Sequence, residues 1–239
     1  MMGKIKGIEL LKNGKRLDGR MPLEMREIEM KVGVIPNANG SAMVRFGKTI
    51  AVAAVYGPRL LLPKHLQEND RAVVQCRYNM APFSTDERVK PGPTRREIEI
   101  SKVIRQAVEP VLFLENYPKT TIDIFIEILQ ADGSTRVTSI NATSLALADA
   151  GVPMKDLVVA LSGGKINGTL ILDLNGLEDN NSEADMPVAF TANKKEITLL
   201  QMDGELTKEE IKKLLKEIFT AGEKIYQMQI KALKDRYSE

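Results

Sequence analysis

Residues 121–150 read TIDIFIEILQADGSTRVTSINATSLALADA. At its start, Ile122, Ile124, Ile126 and Ile128 take every second position, the period of a strand with one buried face. From Val137 to Ala150 the alternation gives way to a helical run that stops at Gly151, where a residue without Cβ turns left-handed at little cost. Ser139, Ala142, Ser144, Ala146, Ala148 and Ala150 give this helix small side chains on most sides, so it is expected at the centre of the fold. The joint between the two is Asp132-Gly133-Ser134-Thr135-Arg136. A strand feeding such a loop at a helix start is a place to hold an anion. The first N–H groups of the helix are free there, and its dipole favours negative charge. Ser134 and Thr135 add hydroxyls, and Arg136 adds a charged fork suited to phosphate. The same residues also suit an ordinary capped turn, so the assignment depends on what the rest of the chain brings beside them.

Toward the N-terminus, Lys12–Met21 is polar and turn-rich and is expected to be a lead-in loop. Met25–Ile35 alternates and predicts a strand, and Ala42–Phe46 and Thr49–Val55 predict a hairpin through Gly47-Lys48. Gly57–Asp70 is expected to be a loop, carrying Arg59, Lys64 and His65 beside an exposed Leu60-Leu61-Leu62. Arg71–Met80 predicts a further strand. Thr94-Arg95-Arg96-Glu97 is a capping box opening a helix to about Leu112. Arg95 and Arg96 oppose the dipole of that helix, which points to an anionic partner outside it.

Toward the C-terminus, strands are expected at Leu157–Leu161 and Thr169–Leu174, then a hairpin of Val188–Ala192 with Glu196–Gln201. A second capping box, Thr207-Lys208-Glu209-Glu210, opens a long final helix. The order describes an α+β chain of two similar halves, divided near Gly151–Pro153 and packed as one unit.

Composition narrows the chemistry. The hydrophobic share of 43% and charged share of 28% over 239 residues describe a soluble chain with a sizeable core. A net charge of +2 sets up no global basic field, so a nucleic-acid site would be a local patch. One cysteine, Cys76, precludes an internal disulfide, and one histidine, His65, leaves little material for a triad or multi-histidine metal site. Cys76 is expected as a small buried side chain. Met1–Lys15 lacks a signal-peptide pattern, and no apolar run approaches the ~20 residues that cross a bilayer. A cytoplasmic protein without membrane contact is expected.

Glu178–Asp185 is expected to be an acidic loop. It does not fit a calcium loop: counting from Asp179, the sixth residue is Ala184 rather than glycine and the twelfth is Phe190 rather than glutamate. Asp179 and Asp185 remain as a carboxylate pair, able to hold a magnesium-like ion through water or to give a proton to a leaving oxygen. With the Gly133–Arg136 loop and Arg95/Arg96, they form a set suited to phosphoryl chemistry in which the nucleophile is itself an oxyanion.

Four runs carry a family resemblance: PFSTDER (82–88), PTRREIEISKVIRQA (93–107), EILQADGSTRVTSINATSLALADAGVPMKDLV (127–158) and LEDNNSEADMPVAF (177–190). Occurring in this order, they resemble the ribonuclease PH group of phosphorolytic exoribonucleases, in the branch of the archaeal exosome's catalytic ring subunit. The resemblance implies a ribonuclease PH fold of two βα halves with mixed sheets and central helices, 21–151 and 152–239, after a lead-in at 1–20. It implies 3′→5′ degradation of RNA by inorganic phosphate, releasing nucleoside 5′-diphosphates, with 3′ tailing as the reverse reaction. Gly133, Ser134, Thr135 and Arg136 would bind the attacking phosphate, and Arg95 and Arg96 the RNA backbone. Asp185 would be the general acid or a ligand of a divalent ion such as Mg2+, supported by Asp179. Arg59, Lys64 and His65 would meet RNA at the neck of a channel. The implied partners are the RNA 3′ end, a homologous inactive subunit completing a six-membered ring, and RNA-binding cap subunits. A non-catalytic ring scaffold and a stand-alone enzyme trimming transfer RNA are the rival readings.

Overall fold

The structure is a computed structural model that describes residues 10–12 and 14–238. The expectation for Met1–Lys15 falls mostly outside these residues. No described helix is long and apolar enough to cross a membrane.

The chain opens with a two-stranded ribbon, β1 (Leu11–Lys12) and β2 (Lys15–Arg16). The first large sheet contains β3 (Ile28–Val32), β4 (Gly40–Phe46), β5 (Thr49–Leu60), β6 (Val73–Met80) and β7 (Thr120–Gln130) in the order β3-β4-β5-β7-β6. Its pairs are antiparallel except β6 with β7, because α1 (Arg95–Val108) provides the crossover between those two. After β7 comes α2 (Thr135–Asp149). The second sheet has β8 (Val158–Ile166), β9 (Thr169–Leu172), β10 (Ala184–Thr191) and β11 (Ile197–Leu200) in the order β11-β10-β8-β9. A short β12 (Asp203–Gly204) also pairs with β10. The helix α3 (Gly176–Asn181) precedes β10, and α4 (Lys208–Tyr237) closes the chain. This is the α+β architecture expected.

The alternation in β7 has the predicted consequence: Ile122, Ile124, Ile126 and Ile128 are all buried. They face α2, which also packs on β8 and β10, so a single apolar core runs through both sheets. The polar residues of α2 serve that position. Beyond the reach of β9, Asn141 accepts from Ala160 N–H at 3.2 Å and donates to the Ala160 carbonyl at 2.7 Å, and Ser144 accepts from Val158 N–H at 2.9 Å. They satisfy backbone groups of β8 that no strand pairs there.

At the other end of α2 the approach is closer still. A Cβ on Gly40 would lie 2.1 Å from Ala150 N and 2.4 Å from Ala146 O. Gly40→Ala is therefore expected to cost about 3 kcal/mol through overpacking, measurable as a lower urea midpoint with an unchanged slope.

Several boundaries differ from expectation. Gly57–Asp70 is not all loop: β5 continues to Leu60, because a register shift after Tyr56 absorbs Pro58 and pairing resumes at Arg59 opposite Thr121. Leu61 is buried, whereas Leu60 and Leu62 are exposed. The α1 helix ends at Val108 rather than Leu112, since Pro110 cannot donate within it and the chain tightens into a 3-10 turn at Glu109–Val111. Cys76 is half-buried on β6, with its thiol pushed up to about 12 by burial. The lead-in is not all loop: it holds β2, and Arg16 is buried within it. The acidic stretch is not a loop either. Asn175 and Glu178 form a capping box that starts α3, and Asp185 lies in β10.

Candidate active site

The anion loop is held by residues distant in sequence. Asp132 N–H donates to Thr49 Oγ1 at 2.9 Å, and Thr49 Oγ1 donates to the Gly133 carbonyl at 2.8 Å. Gly133 and Ser134 are both left-handed, at φ of 70° and 56°, and α2 begins at Thr135. Its Ncap residue, Ser134, makes no side-chain cap bond. The helix thus presents the N–H groups of its first turn to the cleft instead of capping them.

The hydroxyls divide differently from expectation. Ser134 Oγ donates to the Leu174 carbonyl at 2.7 Å and contacts Ser162 Oγ at 2.7 Å, so its proton is committed inside the protein. What Ser134 offers an anion is its backbone N–H. Thr135 Oγ1 accepts from Tyr78 O–H at 3.1 Å, which leaves the Thr135 proton free to point outward. Burial pushes the Tyr78 phenol above its ordinary range and keeps it a neutral donor.

Arg136 leans on Glu99 of α1 at 3.4 Å, and Gln201 donates to the same carboxylate at 3.3 Å. Arg136 Nε is buried without a partner. Arg96 lines the same cleft with Thr135, Arg136, Asp179 and Asp185. Arg95, one position earlier on α1, is exposed and does not line it. The cleft holds about 520 Å³ and adjoins a second of about 590 Å³, walled by Arg88, Gly133 and Asn180. A groove of about 580 Å³ between β6 and α1 is lined by Arg77, Lys102 and Arg105 but holds no aspartate pair.

The two aspartates come from different elements, Asp179 from α3 and Asp185 from β10, and both are half-buried. A third carboxylate, Asp203, sits directly opposite Asp185 in the β10–β12 register. Sequence reading missed it, because a two-residue strand leaves no periodic signal. Burial first, then the charges of Asp179 and Asp203, raise the Asp185 carboxyl to about 7, against the pull of Arg136. Burial also raises Asp179, opposed mainly by Arg96 and Arg136. A carboxylic acid protonated near neutrality beside cations and free N–H groups is equipped to give a proton while an anion is held next to it.

Arg59, Lys64 and His65 lie elsewhere. Arg59 is opposite Thr121 at the far end of β7, and the strand from there to Gln130 spans about 30 Å. Its Nε donates to the buried Asp123 at 2.9 Å. Lys64 and His65 are exposed on a 3-10 turn, Lys64–Leu66, beyond that end.

Two family models match the chain: 3′ exoribonuclease family, domain 1, over residues 24–153 and the same family's domain 2 over residues 156–217. The chain belongs to the 3′ exoribonuclease family. Among proteins similar to this exoribonuclease-family chain, exosome complex component Rrp41 of Pyrococcus furiosus is 60% identical over 99% of the chain and 95% of its own length. The protein of the same name from Thermococcus kodakarensis is 58% identical over 99% and 96%. A crystal structure of rice (Oryza sativa) Rrp46 superposes with a TM-score of 0.83 at 25% identity, covering 92% of this chain and 100% of that one.

Proposed function

We propose that this chain is the catalytic ring subunit of an archaeal-type exosome, degrading RNA from the 3′ end by phosphorolysis. The observation that carries this reading is the meeting of an uncapped helix N-terminus at Ser134–Arg136 with the raised carboxyl of Asp185 in one cleft. Inorganic phosphate is the co-substrate, held by the N–H groups after Gly133, by the Thr135 hydroxyl and by Arg136. One of its oxygens attacks the terminal phosphodiester phosphorus. The bond from that phosphorus to the 3′ oxygen of the preceding nucleotide breaks, and Asp185 gives that oxygen its proton. The products are a nucleoside 5′-diphosphate and an RNA one residue shorter. Run backwards, the same steps extend a 3′ tail.

Two anions must be brought together, so repulsion is the main obstacle, and Arg96 and Arg136 offset it. The segment 21–151 supplies phosphate and RNA contacts, and 152–239 supplies the carboxylates. A divalent ion such as Mg2+ would be held by Asp179 and Asp185 together with substrate oxygens, since among the described residues no group of three or more acidic, cysteine or histidine side chains is placed to hold a metal ion by itself. Bound there, it would neutralise phosphate charge.

A related inactive subunit completes a six-membered ring, with RNA-binding caps above it. The remote Arg59, Lys64 and His65 then meet RNA upstream of the cleft, and Arg95 reaches the backbone from outside it. The free thiol of Cys76 suits a cytoplasmic setting.

The test is product identity. The chain, alone and with its ring partner, is incubated with 3′-labelled RNA with and without phosphate. Nucleoside diphosphates are expected only with phosphate, and monophosphates formed without it would overturn the reading. Arg95→Glu with Arg96→Glu should weaken RNA binding by about tenfold or more at low salt and flatten its salt dependence by up to about two charges, checked by a filter-binding salt titration.

A further inference from the structure

Arg26 is buried, between the lead-in and β3, and its guanidinium joins the anion loop to the segment that leads into α3. Nη1 donates to the Asp132 carbonyl at 2.6 Å, at the base of the anion loop. Nε and Nη2 donate to the two Asp173 carboxylate oxygens at 2.9 and 2.6 Å, and Nη2 also reaches the Leu174 carbonyl at 3.2 Å. That carbonyl also accepts from Ser134 Oγ. The link is closed from the other side, where Asp132 Oδ1 accepts from Gly176 N–H, the first residue of α3, at 3.0 Å. The fit is tight around the arginine: a Cβ on Gly47 would lie 2.6 Å from Arg26 Cδ.

We propose that Arg26 is a positioning residue: its fork sets the separation between the anion loop at Asp132–Ser134 and the Asp173–Asp179 segment that carries a carboxylate to the cleft. The inference rests on the phosphorolytic reading of that cleft and deepens it. Arg26 itself touches no substrate. It acts by joining two backbones from opposite halves of the chain, so that bound phosphate and Asp179, which supports the proton donor Asp185, stay in line. Only a planar fork does this. A lysine would keep the charge facing Asp173 but could not also hold the Asp132 and Leu174 carbonyls.

The experiment uses Arg26→Lys in the assembled ring, with Arg26→Gln as a second variant and Arg136→Gln and Gly40→Ala as references. Arg26→Lys is expected to keep RNA affinity within about twofold and to raise the phosphate KM and lower kcat, together worth about thirtyfold or more, as loss of alignment does. Gly40→Ala lowers stability far from the cleft and reports what loss of folded protein alone does to the rate. A rate loss in Arg26→Lys that tracks its folded fraction as Gly40→Ala does, or unchanged phosphate kinetics, would overturn the proposal. If Arg136→Gln raises the phosphate KM and Arg26→Lys does not, only the role of Arg26 fails. If Arg136→Gln also leaves it unmoved, the phosphate site itself is wrong and the proposal falls with it.

Discussion

Asp185→Asn should lower kcat by about 10²- to 10⁴-fold, the usual worth of a positioned general acid, while RNA binding stays close to that of the wild type. The asparagine keeps the size of the side chain but has no proton of suitable acidity to give. The pH dependence provides a second reading. With the Asp185 carboxyl raised to about 7, the acid form dominates below that value, so wild-type turnover should fall as pH rises through it. Stability moves in the same direction. The folded-state value lies above the ordinary 3.8, so the folded protein holds the proton more tightly than the unfolded chain. The stabilisation is fully present below about pH 4 and is lost as pH rises through about 7. Asp185→Asn should therefore be more stable than wild type above neutrality and nearly equal to it near pH 4. Rate–pH profiles and melts of both proteins check both claims; an unchanged rate in the variant would remove Asp185 from the chemistry.

Gly133→Ala should lower kcat/KM for phosphate by about 100-fold or more, in a protein that still folds. Two effects combine. An alanine at φ of 70° is left-handed, at a cost of roughly 1–2 kcal/mol. Its Cβ would also lie 2.5 Å from Asn175 C and 2.7 Å from Gly176 N. Both are backbone atoms at the start of α3, so no side-chain rotation relieves the contact. Either the anion loop or α3 must move, and each movement separates the phosphate site from Asp179. Steady-state rates over a range of phosphate concentrations, with a thermal melt as control, measure this. Wild-type phosphate kinetics in a folded variant would show that the loop does not hold the attacking anion.

What could be read from the sequence was mostly local. The β7–α2 joint was legible because a period of two gives way to a helix within fifteen residues, and a pattern of that length survives most tertiary effects. Thr94/Glu97 and Thr207/Glu210 were legible because a capping box is complete within four residues. Asn175/Glu178 is the same box. It lay inside a run dominated by acidic and asparagine residues, and reading Asn175 as an Ncap would have placed α3. By contrast, the buried pairs of Arg16 with Glu178 and Arg26 with Asp173 join residues about 150 positions apart, and nothing near either partner announces the other.

Individual site residues followed the same division. Arg96 reaches the cleft and Arg95 does not, which is a matter of helix phase that a pair of adjacent arginines does not reveal. Residue type alone suggests an outward Ser134 hydroxyl, whereas its partners, Leu174 and Ser162, come from the other half of the chain. Arg59 lies on a strand rather than a loop because a bulge carries the pairing past Gly57-Pro58.

The central claim is that a phosphate ion seated on the Gly133–Arg136 loop attacks the RNA. Radiolabelled inorganic phosphate supplied with unlabelled RNA tests it most directly. The account predicts that each nucleotide released carries one label, in the β-phosphate of a nucleoside diphosphate. Release of unlabelled nucleoside monophosphates, at a rate indifferent to phosphate concentration, would contradict it.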